Sequence, residues 1–165
     1  MAVARLWADA QRRSNLPELE PLRSYPSLAR RAAMPHIEGP FNVTLSPQPV
    51  HEAAEGQFGR MALDKQFHGD LQASSRGEML AAMTQTKGSA GYVALEKVEG
   101  TLAGRSGSFL MVHRGLMDRG RADLSVTVVP DSGTGELVGL SGRMSIDVRE
   151  GGAHFYLFDY ELPEG

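Results

Sequence analysis

Cysteine is missing altogether from the 165 residues, which excludes disulfides, thiolate nucleophiles and Cys-ligated zinc or iron–sulfur centres. Missing too is any apolar run near the roughly 20 residues of a membrane span, and the N-terminus lacks the unbroken apolar core of a secretory signal peptide. Asn42-Val43-Thr44 matches a glycosylation sequon, but without an export signal it reads as a chance match. There is no basic excess either. The net charge of −3 argues against the cationic face of a nucleic-acid binder. These absences predict a cytoplasmic protein that engages neither membrane nor nucleic acid.

The usual catalytic signatures are absent as well. No Walker A loop and no G-x-S-x-G elbow occur. Gly133-Thr134-Gly135 followed by Gly139 is one residue too long for the dinucleotide fingerprint, and no βαβ unit surrounds it. His36, His51, His68, His113 and His154 show neither H-x-H nor H-E-x-x-H spacing, so no metal site is expected, and no cofactor. The acidic stretch Asp131–Glu136 lacks the spacing of an EF-hand loop and reads as a turn.

What is present suits one globular domain: 41% hydrophobic and 22% charged residues. The chain changes character at Met34. Residues 1–33 carry six Arg against three acids, a local charge of 6 − 3 = +3, and the remainder carries 11 − 17 = −6. Prolines at 17, 21 and 26 interrupt the first segment, although Ala2–Arg13 suits a short amphipathic helix. Residues 1–35 are therefore expected to be a flexible arm, or translation upstream of a true start at Met34, with residues 36–165 forming the domain.

From Phe41 onward apolar residues recur with period two, the mark of half-buried strands. The series runs Phe41-Val43-Leu45, Met61-Leu63-Phe67, Tyr92-Ala94-Val98, Phe109-Met111, Leu124-Val126-Val128, Met144-Ile146-Val148 and Phe155-Leu157. Turn signals separate these runs at His68-Gly69-Asp70, Arg119-Gly120 and Glu150-Gly151-Gly152. Thr134–Leu140 and Ser74–Ala82 are the two locally helix-compatible stretches. The class is all-β.

One phrase, Gly-x-Leu-x-(Gly or Ala)-x-Ser, appears three times: at Gly69–Ser75, Gly100–Ser106 and Gly135–Ser141, at steps of 31 and 35 residues. Each copy follows a strand and precedes another, which makes the repeat a strand–corner–strand unit. Three units supply about six strands, and the flanking runs bring the count to about eight, enough to close an antiparallel barrel. In extended backbone the Gly, Leu, Gly/Ala and Ser of the phrase share one face. Such small residues mark a bend or close backbone approach, or leave room for a ligand.

The stretches DKQFHGDLQASSRGEML, KGSAGYVALEKVEGTLAGRSGSF and VTVVPDSGTGELVGLSGRMSI resemble the bacterial family catalogued as Domain of Unknown Function 3224, over about residues 37–162. The resemblance implies a single-domain β-barrel like that of plant allene oxide cyclase, often self-associating. It implies no established activity and no catalytic residues.

Polar groups that share an apolar strand face stand out, because burying them is costly unless they are paired. Lys65 is in register with Met61, Leu63 and Phe67, and Glu96 with Tyr92, Ala94 and Val98. Each lies four residues before the Gly of its repeat copy, so the two occupy equivalent positions. His113 shares a face with Phe109 and Met111. A Lys–Glu pair with a nearby His in apolar surroundings suits proton transfer. An internal ion pair, or two side chains reaching out at strand ends, fits the same pattern. Glu78 matches an acidic position of the family motif, although its register partners Arg76, Ser74 and Gln72 suggest solvent. Tyr92, Tyr156 and Tyr160 suit either a pocket or the core.

Three functions follow as alternatives. The leading expectation is a binding module that takes a small apolar or amphipathic molecule in its lumen, with Lys65, Glu96, His113, Tyr92, Glu78, Phe67, Phe109 and Met111 as pocket candidates. The second is a structural barrel, packed shut and assembling as a homo-oligomer through its outer face. The third is a cofactor-free isomerase or cyclase that shapes an apolar substrate. A lumen filled by Phe67, Phe109, Met111 and Met144 would count against both ligand readings.

Overall fold

Eight strands run in strict meander order, and the first hydrogen-bonds to the last. The computed structural model describes residues 35–52 and 56–163. Its strands are β1 (His36–Gln48), β2 (Gly59–Phe67), β3 (Leu71–Met83), β4 (Ala90–Leu102), β5 (Arg105–Asp118), β6 (Arg121–Val128), β7 (Ser141–Val148) and β8 (His154–Glu161). All neighbours are antiparallel, and β1 pairs with both β2 and β8, so the sheet is a closed barrel. The expected arm at residues 1–35 lies almost wholly outside the described residues. Among the described residues no helix is long and apolar enough to cross a membrane.

Local chemistry explains the short connections. The β4–β5 and β5–β6 hairpins turn on two residues each, Ala103-Gly104 and Arg119-Gly120, all with positive φ (48°, 84°, 49° and 91°). That backbone matches the right-handed twist of the flanking strands and needs glycine in the second position most. The helical turn expected near Thr134–Leu140 is a single 3-10 turn at Gly135–Leu137. The other helix-compatible stretch, Ser74–Ala82, is extended instead, as part of β3. It pairs in full register with β2 and β4, and this cross-strand pairing overrides the weak local preference of Ser, Arg, Glu and Ala for a helix.

The three repeat copies all fall at the same end of the barrel, in the β2–β3, β4–β5 and β6–β7 connections. Their backbones differ: a hairpin leading into β3, a two-residue turn, and a 3-10 turn. What they share is the leucine. Leu71, Leu102 and Leu137 are each 1% exposed or less and pack in one cluster. With them sit Phe41, Phe67, Phe109, Tyr156, Phe158 and Met144, and Phe109 stacks on Phe158 with ring centroids 6.1 Å apart. The repeat plugs this end of the lumen.

The long β6–β7 connection completes the plug. β6 and β7 share two register pairs, Val126–Met144 and Thr127–Arg143. The chain between them instead lies along the start of β5. There Ser108 N–H donates to Thr134 Oγ1 (3.0 Å), Thr134 N–H to the Ser108 carbonyl (2.8 Å) and Ser106 N–H to Glu136 Oε2 (2.7 Å). Gly107 permits the approach, since a Cβ there would fall on the Thr134 carbonyl oxygen. The edge of β5 that β6 leaves uncovered is thereby hydrogen-bonded.

Toward the far end the lumen changes character. Alternation points Ala81, Ala90, Ala94, Gly115 and Ala122 inward, together with Met61, Leu63, Met79 and Met117, where the plugged end has rings and leucines. Leu45, Tyr92, Leu124 and Ile146 point inward as well and are half-buried.

Candidate functional site

Between these two halves lies a buried polar cluster. β4 carries Glu96, with Gly77 of β3 opposite it on one side and Met111 of β5 on the other. Lys65 on β2 faces Ser75 on β3, and His113 on β5 faces Ala94 on β4. Three polar side chains converge on the Glu96 carboxylate. Lys65 Nζ donates to Glu96 Oε1 at 2.8 Å, His113 Nε2 meets the same oxygen at 2.7 Å, and Ser75 Oγ donates to Oε2 at 2.6 Å. Glu96 is 1% exposed, Lys65 5% and His113 3%.

Glycine makes the room. A Cβ at Gly77 would lie 2.7 Å from the Cβ of Glu96 and would fall on the Leu95 carbonyl oxygen. The remaining face of Lys65 Nζ is apolar: it lies 5.7 Å from the Phe41 ring centre and 5.8 Å from that of Phe67. Aromatic faces attract a cation, so these rings take the place of further oxygen partners.

The electrostatics follow from burial and partners. Burial works against the Glu96 charge, but the His113 hydrogen bond and the Lys65 charge outweigh it and hold the carboxyl at about 2. Burial lowers His113 below its ordinary value; its bond to Glu96 opposes this, and the Lys65 charge reinforces it. Burial, and then the negative charge of Glu96, push the Tyr92 phenol well above its usual range. Near neutral pH the cluster holds an ionised Glu96 against Lys65 and a neutral imidazole.

Lys65, Glu96 and His113, named from their place on apolar strand faces, are thus brought together. Tyr92 stands two positions nearer the far end than Ala94, on the same inward face. Phe67, Phe109 and Met111, at 3%, 1% and 1% exposed, belong to the plug, as does Met144, and Phe67 also borders a surface hollow with His68, Gly69 and Gln72. Their half of the lumen is the one the repeat leucines fill. Tyr156 and Tyr160 are buried there too. Glu78 lies outside the barrel, where Arg60 Nε and Nη2 grip its two oxygens at 2.8 and 2.6 Å. Ser75 was missed, although it ends the first copy of the repeat and shares the face of Leu71 and Ala73. Among the described residues no group of three His, Cys, Asp or Glu is placed to hold a metal ion.

The outer wall carries a second feature. Leu80 of β3, Val93 and Leu95 of β4, and Leu110, Val112 and Leu116 of β5 are large, apolar and 39–58% exposed. Register puts Leu80 beside Val93 and Leu95 beside Val112, so the patch is continuous across three strands.

A closed eight-stranded meander barrel, plugged at one end above a buried ionic cluster, defines a class of small barrel proteins rather than a reaction. A family model described as "Protein of unknown function (DUF3224)" matches residues 37–160, and the chain belongs to that family. It is also similar to the crystal structure of a protein of unknown function from the same family from Shewanella oneidensis MR-1, with 50% sequence identity and a TM-score of 0.75. That likeness covers 80% of this chain and 99% of the other. No curated protein matches.

Proposed function

We propose that the protein binds a small apolar or amphipathic molecule in the half of the lumen away from the repeat. The observation that carries this reading is the unequal filling of the barrel. Rings and leucines pack the plugged end, while the other holds alanines and Gly115, the flexible Met61, Met79 and Met117 with Leu63, and half-buried Leu45, Tyr92 and Leu124. Evenly packed cores do not leave inward leucines and tyrosines half-wet. Glu96 supports binding over proton transfer, because a carboxylate held at about 2 is a weak base. The test is uptake of an apolar fluorophore by the native protein and by Ala94→Leu and Ala122→Leu, which add bulk inside the lumen. Binding in the native protein, lost in both folded variants, supports the reading. Unchanged uptake in both would place the site elsewhere.

A second reading, self-association, rests on the outer patch of β3–β5. We propose that a second copy covers it through the same face, since a two-fold contact needs only one self-complementary surface. Contiguous apolar surface across three strands is unusual for a monomer. The flanking Arg60–Glu78 and Arg114–Asp123 pairs supply a polar rim of both signs.

A further inference from the structure

His113 has one ring nitrogen accounted for and one not. Glu96 is ionised and can only accept, so the hydrogen in the 2.7 Å contact sits on His113 Nε2. The ring is neutral near pH 7, which leaves Nδ1 as a bare acceptor. The two nitrogens of an imidazole diverge, so Nδ1 faces away from Glu96. Among the described residues no donor reaches it, yet the side chain is 4% exposed. A buried acceptor without a donor costs about 1–3 kcal/mol.

The surroundings fit a bound group there. His113 lies one inward position beyond Met111 toward the far end; the next inward positions on β5 are Gly115, which has no side chain, and then the buried, flexible Met117. Beside Gly115 across the ladders stand Tyr92 and Leu124, both half-buried. Lys65 is not available to a ligand: Glu96 and the faces of Phe41 and Phe67 occupy it. A carboxylate beside His113 Nδ1 would meet a lone pair and, behind it, the charge of Glu96.

We propose that the lumen ligand is a neutral, apolar molecule bearing a hydroxyl group, which donates its hydrogen bond to His113 Nδ1 while its body lies against Tyr92, Leu124 and Gly115. The assignment rests on the lumen-binding reading above and narrows it to alcohols and phenols.

Titration calorimetry on the native protein with decanol, its methyl ether and decanoate tests this. The three share an apolar chain and differ in the head. Decanol is expected to bind about tenfold more tightly than either of the others, the worth of one buried hydrogen bond. In His113→Phe, decanol and the ether are expected to bind alike. The native comparison stands without the variant should that variant not fold. Equal binding of decanol and ether to the native protein, or tightest binding of decanoate, overturns the hydroxyl assignment and leaves lumen binding intact. No binding of any of the three overturns both.

Discussion

Gly77 lies directly opposite Glu96 across the β3–β4 ladder, and the space a side chain would need there is taken by the Cβ of Glu96. In an ordinary strand Gly→Ala is neutral or favourable, by about 0.4–1 kcal/mol. Here Gly77→Ala is expected to destabilise by about 1–3 kcal/mol, the cost of overpacking. Urea denaturation reads the sign directly. A stabilised variant would mean that the close approach to Glu96 is absent.

Removing one partner of the buried pair is expected to cost far more than removing both. Glu96→Gln leaves Lys65 inside without a counter-ion, at about 3–5 kcal/mol. Pairing Lys65→Met with Glu96→Leu removes both charges and is expected to recover most of that loss. A double-mutant cycle by chemical denaturation gives the coupling energy. Additive losses would show that the two side chains act independently.

Acid stability has two parts of the same sign. The folded state holds the Glu96 carboxyl at about 2, below its ordinary 4.5. Its contribution, roughly 3 kcal/mol, is therefore complete above pH 4.5 and lost as pH falls toward 2. His113 is also depressed, from 6.5. The unfolded chain takes up that proton first, so stability begins to fall below pH 6.5. Unfolding free energies measured from pH 8 to pH 3 are expected to decline in both windows, and His113→Phe should erase the upper one. A flat profile from pH 7 to pH 5.5 in the native protein would contradict the burial of a neutral imidazole.

Leu95→Lys is expected to shift the protein toward monomer in sedimentation velocity, with stability changed by no more than about 0.5 kcal/mol, as for other exposed positions. A native protein that already sediments as a monomer at high concentration would rule out the β3–β5 face as a self-contact.

The barrel was legible because period-two alternation survives in nearly every strand, and because the repeat fell where the chain must turn. β3 was the least legible strand. Gly77 interrupts its apolar face, and serines and alanines fill much of the remainder. The Lys65–Glu96 pair could be read from equal offsets to Gly69 and Gly100, a relation internal to the sequence. The part played by His113 could not: it depends on the β4–β5 register that sets Ala94 beside it, and one residue of slip would turn it to solvent. Phe67, Phe109 and Met111 have the composition of either a pocket or a plug. Which they become depends on the end of the barrel to which they belong.

The matched positions of Lys65 and Glu96 carry a consequence for the repeat itself. Adjacent units bring these two positions within 2.8 Å of each other at their side-chain tips. A chain that copied its unit faithfully would put two lysines or two glutamates face to face in the interior, where like charges cannot both stay ionised. The third unit escapes the conflict differently: its equivalent residue, Asp131, sits exposed in a turn at φ 60°. Electrostatics therefore works against this barrel being a perfect repeat, and the departure from symmetry falls at the buried ionic cluster around Glu96.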